Sequence, residues 1–270
     1  MSSAATSGIG ETGPTRGPVS PVRAASTLAL WAAAWQGGAP SDEVIAAIEN
    51  SGFRAGVRAL SVEAAAASGL PGPGASSAGS AALLPLLRTG GTPELLLPTA
   101  GDLRGLAPGG RLTLAALDAG AVVVFPAAGI GVVPMDGQWR ADVCPGRHPA
   151  PDLRTAGREL DEAIGEATRR LAAADLGRDA GSPRDRVAEV MLAERVPTPP
   201  GTPAGSAALL AKAISLHALL CVAGNHDTAA VNSFELAVVD DALRPLARAV
   251  RDGRRAAVAA ACAALVGTGR

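Results

Sequence analysis

The side chains able to carry chemistry in this chain are few: three histidines (His148, His217, His226) and three cysteines (Cys144, Cys221, Cys262). Four groupings set reactive or charged types close together. Gly224-Asn225-His226-Asp227 offers an amide oxygen, an imidazole and a carboxylate within one turn, donor types that suit a divalent metal. Cys144 and His148, with Asp142 and Asp152 on either side, hold the parts of a thiolate–imidazole nucleophile. Residues 97–110 place Asp102 and Arg104 among Gly101, Gly105, Gly109 and Gly110, where backbone amides and a guanidinium could meet an anion. Arg244, Arg248, Arg251 and Arg255 recur at helical spacing, a candidate surface for an anion or an acidic partner.

Each grouping has a plainer reading. Gly224 to Asp227 resembles the metal-binding turn of calcineurin-like metallophosphoesterases, but that resemblance covers four residues. It implies an upstream Asp-x-His, a Gly-Asp pair and downstream histidines. No histidine follows His226, and Gly101-Asp102 lies far upstream, so the two-metal site cannot be assembled and no metal is expected. Gly224 reads instead as a helix stop before a polar turn. Pro145 and Gly146 between Cys144 and His148 indicate a loop rather than an activated thiol. His217 lies on an apolar helical stripe and reads as a core imidazole. Asp102 can pair with Arg104, and the arginine stripe, with Asp240 and Asp252 four residues from Arg244 and Arg248, reads as a solvated face with local ion pairs.

Composition narrows the classes further. Three Trp, three Phe and no Tyr leave little for base stacking, and a net charge of -1 lacks the cationic excess of duplex binders, so nucleic acid is disfavoured as a partner. The cysteines are odd in number, widely spaced and free of a CxxC motif, which argues against a disulfide framework and fits a reducing cytoplasm. The apolar run Ala24 to Trp35 superficially resembles a secretory core but is too short to span a bilayer. No other stretch of about 18 uncharged apolar residues is recognised, so no membrane association is expected.

The elements that must position these residues follow from periodicity. Residues 1–23, rich in Ser, Gly, Thr and Pro, read as a disordered tail. An α/β lobe over 24–148 opens with helices at 24–36 and from Ser41, the latter as a cap. Strands follow near 53–60, at 94–98 and at 121–125, with a helix at 78–88. Ile130 to Met135 and Gln138 to Val143 flank Asp136-Gly137, a tight-hairpin signal that extends the meander over 121–143. A helical lobe over 149–270 packs on it. Leu153, Ala156, Leu160, Ile164, Ala167 and Leu171 form one helical stripe, a shorter helix spans Pro183 to Glu194, and another ends at Cys221-Val222. The last helix opens with Asn232 as cap, Glu235 three residues on, and Pro245 expected to kink or divide it.

The predicted fold class is therefore α+β, a small mixed sheet with a β-meander and flanking helices, followed by a mainly helical C-terminal half. The stretches from Leu97 to Leu106, "AALDAGAVVV" from Ala115 to Val124 and "ALRPLARAVR" from Ala242 to Arg251 resemble an uncharacterised family of actinobacterial cytoplasmic proteins. That resemblance implies lineage and assigns no catalytic residue or cofactor. With no complete catalytic constellation, the leading expectation is a non-catalytic binding or protein-interaction protein that has a partner or self-associates. The alternative is a hydrolase or transferase acting on an anionic small molecule through Asp102, Arg104 and His226. A third class is nucleic-acid contact through the Arg244 to Arg255 face.

Overall fold

The computed structural model describes residues 20–173, 184–224 and 233–268. Its organising element is helix α1, Pro21–Gln36, in which every residue from Ala24 to Ala34 is buried. A helix apolar on all sides has no face to give to water and must be enclosed. Ser20 caps it, accepting from the Arg23 amide at 3.1 Å, so the order starts ahead of the tail expected up to residue 23. Residues 1–19 lie outside the described residues. Two polar side chains inside α1 are satisfied locally: Ser26 and Thr27 donate back to the carbonyls of Val22 and Arg23 at 2.8 and 2.9 Å.

One side of α1 meets a five-stranded mixed sheet. Its strands are β1 (Val57–Ala59), β2 (Glu94–Leu96), β3 (Val122–Phe125), β4 (Ile130–Met135) and β5 (Gln138–Val143), in spatial order β1-β5-β4-β3-β2. All pairs are antiparallel except β1 with β5, which run parallel. Asp136 and Gly137 take positive φ values of 50° and 71°, closing the β4–β5 hairpin on the pair Met135 and Gln138 as the sequence predicts. Val123, Phe125, Ile130, Val132 and Trp139 face α1, while Leu96, Val122, Val124 and Val133 face a second, smaller core.

That second core is closed by helix α5, Arg111–Ala119. Helices α2 (Ser41–Asn50), α3 (Val62–Ser68) and α4 (Leu84–Thr89, behind a 3-10 turn at Ser80–Leu83) complete the α/β half. Ser41 is the first residue of α2 rather than its cap, which is Pro40. The α3 turn is absent from the sequence reading because seven residues give too little period to register, although Ser61 caps it through the Ala64 amide. With both sheet faces covered, Arg140 and Asp142, which alternation places on a polar face, are buried.

The C-terminal half consists of α6 (Leu153–Ala173), α7 (Arg184–Ala193), α8 (Ala204–Gly224) and α9 (Ser233–Gly267). Asn232 and its capping interaction lie outside the described residues. Pro245 does not divide α9, which continues through it for 35 residues. The ring sits on the exposed side of the helix, so its missing amide hydrogen bond falls where water can compensate. The helix α8 is long and apolar enough, by length and composition, to cross a bilayer, although Lys212 interrupts it, so it is not the uncharged stretch that the sequence lacks; a third of its most apolar window is buried within the fold.

The second side of α1 meets α9, and the approach is close. The Cys262 thiol lies 3.5 Å from the Ala29 carbonyl, and a Cβ on Gly37 would stand 2.3 Å from the Leu265 carbonyl oxygen. Gly37 has an ordinary φ of -78°, so only that contact requires glycine. Gly37→Ala is expected to push α9 off α1 and cost about 1–3 kcal/mol, read as a lowered midpoint in thermal denaturation; an unchanged midpoint would show that the two helices do not meet here.

Candidate functional site

The α9 residues Ala247, Val250, Arg251 and Arg254 fall at i, i+3, i+4 and i+7 and line one cavity. Across from them stand His217, Leu220 and Cys221 of α8, and the strand exit Leu97-Pro98-Thr99. Val22 of α1 and Gly120 complete a space of about 350 Å³ between the two halves. That volume lies within the range of small-molecule sites, and its walls are largely apolar.

At the α1 side of this cavity, Arg254 is 2% exposed. Its Nη1 donates to Glu194 Oε2 at 2.9 Å and its Nε to Ser26 Oγ at 3.2 Å, while Nη2 finds no acceptor among the described residues. Burial, the largest single influence, pushes the Glu194 carboxyl up, but the Arg254 cation, hydrogen bonds from Ser20 and Arg254, and His217 together hold the group below its usual range. Burial likewise lowers the His217 imidazole, against the pull of Glu194 and with the push of Arg254. His217 Nε2 lies 3.5 Å from the Cys221 thiol, which burial and Glu194 push up. Both partners of that pair are thus neutral at pH 7, the opposite of a thiolate–imidazolium nucleophile.

Beside the cavity lies a second charged cluster. Arg104, at φ 56°, turns its side chain inward, where Nη1 donates to Asp252 at 2.5 Å and Nη2 stands 3.1 Å from Asp102. The second contact is an ion pair without an aligned hydrogen bond, since both of its atoms remain unsatisfied. Asp252 also accepts from Arg255 at 3.5 Å, and Arg255 donates to the carbonyls of Leu95 and Pro149 at 3.1 and 3.2 Å. Burial, then repulsion from Arg104, lowers both Arg251 and Arg255, with Asp102 and Asp252 opposing.

The expected residues therefore divide. Asp102 and Arg104 do meet, but they tie the 97–110 loop to α9. His226 lies outside the described residues. The arginine stripe is not one solvated face: Arg244 and Arg248 are exposed, whereas Arg255 is buried and Arg251 half-buried. Arg244 pairs with Asp241, and Asp252 turns to Arg104 and Arg255 rather than to Arg248. Cys144 lies 3.7 Å from His148, but burial and then Glu94 push its thiol up to about 11. Among the described residues, no group of three or more His, Cys, Asp or Glu could hold a metal. Arg254, Glu194 and Cys221 are not among the site residues that the sequence suggests, and His217 appears there only as core. Arg254-Arg255 immediately before the apolar run Ala256 to Val266 is the signal that could have found the first, because charges embedded in such a run need buried partners.

Comparison with known proteins places the whole molecule in one group. The model of the Rv1486c-like protein N-terminal domain matches residues 25–154, and that of the Rv1486c-like protein C-terminal domain matches residues 154–255. The chain is 29% identical to uncharacterized protein Rv1486c of Mycobacterium tuberculosis, covering 87% of this chain and 95% of the relative. It is 29% identical to uncharacterized protein MAV321 of Mycobacterium avium and 27% identical to uncharacterized protein ML1804 of Mycobacterium leprae, each covered to 95%. No solved structure matches.

Two expectations follow from the buried charges. Arg254→Met strands the Glu194 carboxylate and should cost about 3–5 kcal/mol in urea unfolding, whereas the double change Arg254→Met with Glu194→Leu should recover most of it. The folded state also resists protonating His217, while the unfolded imidazole takes up a proton below about pH 6.5. Stability should therefore fall as pH drops from 7.5 to 5.5, by at most about 1.4 kcal/mol per pH unit for this group. His217→Gln should flatten that part of the urea-midpoint profile; an unaltered slope would remove His217 as its cause.

Proposed function

The chain belongs to the Rv1486c-like protein family, and we propose that it acts as a non-catalytic binding protein that encloses a small molecule between its two halves. The observation that carries this reading is the apolar-walled cavity bordered by Arg254, a buried guanidinium with one nitrogen lacking an acceptor among the described residues. A guanidinium withdrawn from water beside an apolar space favours a bound molecule that brings a polar group to it. The neutral state of Cys221, His217 and Cys144 supports binding over nucleophilic catalysis.

The hydrolase or transferase alternative draws less support, because Asp102 and Arg104 are engaged with each other and with Asp252. Nucleic-acid contact through the arginine stripe is left with Arg244 and Arg248 as its exposed members. A specific observation favours an interaction role as a second reading: α7 and α8 flank an apolar groove lined by Met191, Leu192, Val196, Leu210 and Ile214, with Leu192 71% exposed. Sedimentation velocity that finds only monomer, with no partner recovered, counts against that second reading.

The binding reading is tested on the full chain by native mass spectrometry with parallel turnover assays on p-nitrophenyl acetate and p-nitrophenyl phosphate. A small-molecule adduct released on denaturation and absent from Ala247→Phe, which fills the cavity, is the expected result, with no turnover above background. Turnover that disappears in Cys221→Ala would replace binding by catalysis.

A further inference from the structure

We propose that the cavity takes a small amphipathic monoanion, a carboxylate carrying a short apolar tail, with its head at Arg251 and Arg254 and its tail toward Leu220 and Leu97. This rests on the binding reading above and adds the chemical class of what is bound.

The charge balance around the cavity sets the sign and number. Arg254 and Glu194 form a closed buried pair. Among the described residues, by contrast, Arg104, Arg251 and Arg255 draw on two nearby carboxylates, Asp102 and Asp252, whose contacts are made with Arg104 and Arg255. Among the described residues Arg251 therefore stands for one positive charge without a carboxylate partner, half-buried at the cavity wall, and its Nε finds no acceptor there. The neighbouring His217 is neutral at pH 7 and adds no second charge.

A charge withdrawn from water needs a counter-charge, and one surplus cation calls for one anion. A carboxylate brings a single charge and two acceptor oxygens, a match for a guanidinium at the wall of the cavity. A phosphate monoester brings up to two charges and a heavier desolvation cost into walls that offer few other polar groups. The tail follows from those walls: Val22, Leu97, Pro98, Leu220, Ala247 and Val250 present aliphatic surface that only an apolar group covers without loss.

The test measures calorimetric titration of the full chain at pH 7.5 with octanoate, 1-octanol and octyl phosphate. Octanoate is expected to bind at least tenfold more tightly than either of the others. In Arg251→Gln that affinity should fall tenfold or more while octanol binding is unchanged, and Ala247→Phe should abolish both. If octanol matches octanoate, or octyl phosphate exceeds it, the monoanion class is overturned while the binding reading stands. If none of the three binds yet an adduct persists in native mass spectra, again only the class falls; with no adduct either, both fall. Should Arg251→Gln fail to fold, the ranking of the three probes on the unaltered chain decides the matter.

Discussion

The enclosure of α1 is the constraint from which the rest of the architecture follows. Eleven consecutive residues from Ala24 to Ala34 are buried, so this helix can exist only with neighbours on every side. The sheet covers one side and α9 the other, and the N-terminal segment thereby becomes the centre of one continuous core rather than an appendage. Small side chains make this geometry possible. Ala29 under Cys262 and Gly37 under Leu265 let two backbones approach closely, at the expense of leaving no room for a larger residue.

That arrangement decides what α9 can carry. Where α9 passes α1, α6 and α8 and touches β2, its inward side has little free surface, and the charged residues there, Arg254 and Arg255, must find partners inside the fold. Arg254 reaches α7 and α1, and Arg255 reaches backbone carbonyls at β2 and at the start of the C-terminal half. These two arginines join parts of the chain that share no secondary structure. Their burial also explains why the adjoining cavity is unusual: its apolar walls sit directly beside fixed guanidinium groups, in surroundings where water cannot freely compensate them.

Family membership extends across both halves, which fits a molecule whose candidate site is assembled from both. The family models meet near residue 154, yet the cavity draws on Leu97 to Thr99 from one side and on α8 and α9 from the other. Neither half alone contains the set of residues that surrounds it.

Much of the fold was legible in the chain because it is decided locally. Asp136-Gly137 specifies its hairpin through positive φ, and the Leu153 to Leu171 stripe specifies α6 through its period. The pairing of Asp102 with Arg104 was also legible at two residues' separation. What sequence could not settle was which face of α9 turns inward. Arg251 belongs equally to the stripe ending at Arg255 and to the cavity-lining set ending at Arg254, and only packing against α1 and α8 separates them. Alternation likewise sets Arg140 and Asp142 opposite Trp139 and Ala141 but cannot reveal whether a second layer covers their side of the sheet, and both are buried. By itself, then, the sequence determined most of the elements, α3 excepted, through backbone preferences and short-range periodicity. The cavity, its buried charges and the surplus cation at its wall were decided by tertiary structure alone, because desolvation and ion pairing depend on neighbours brought together from 60 to 228 residues away.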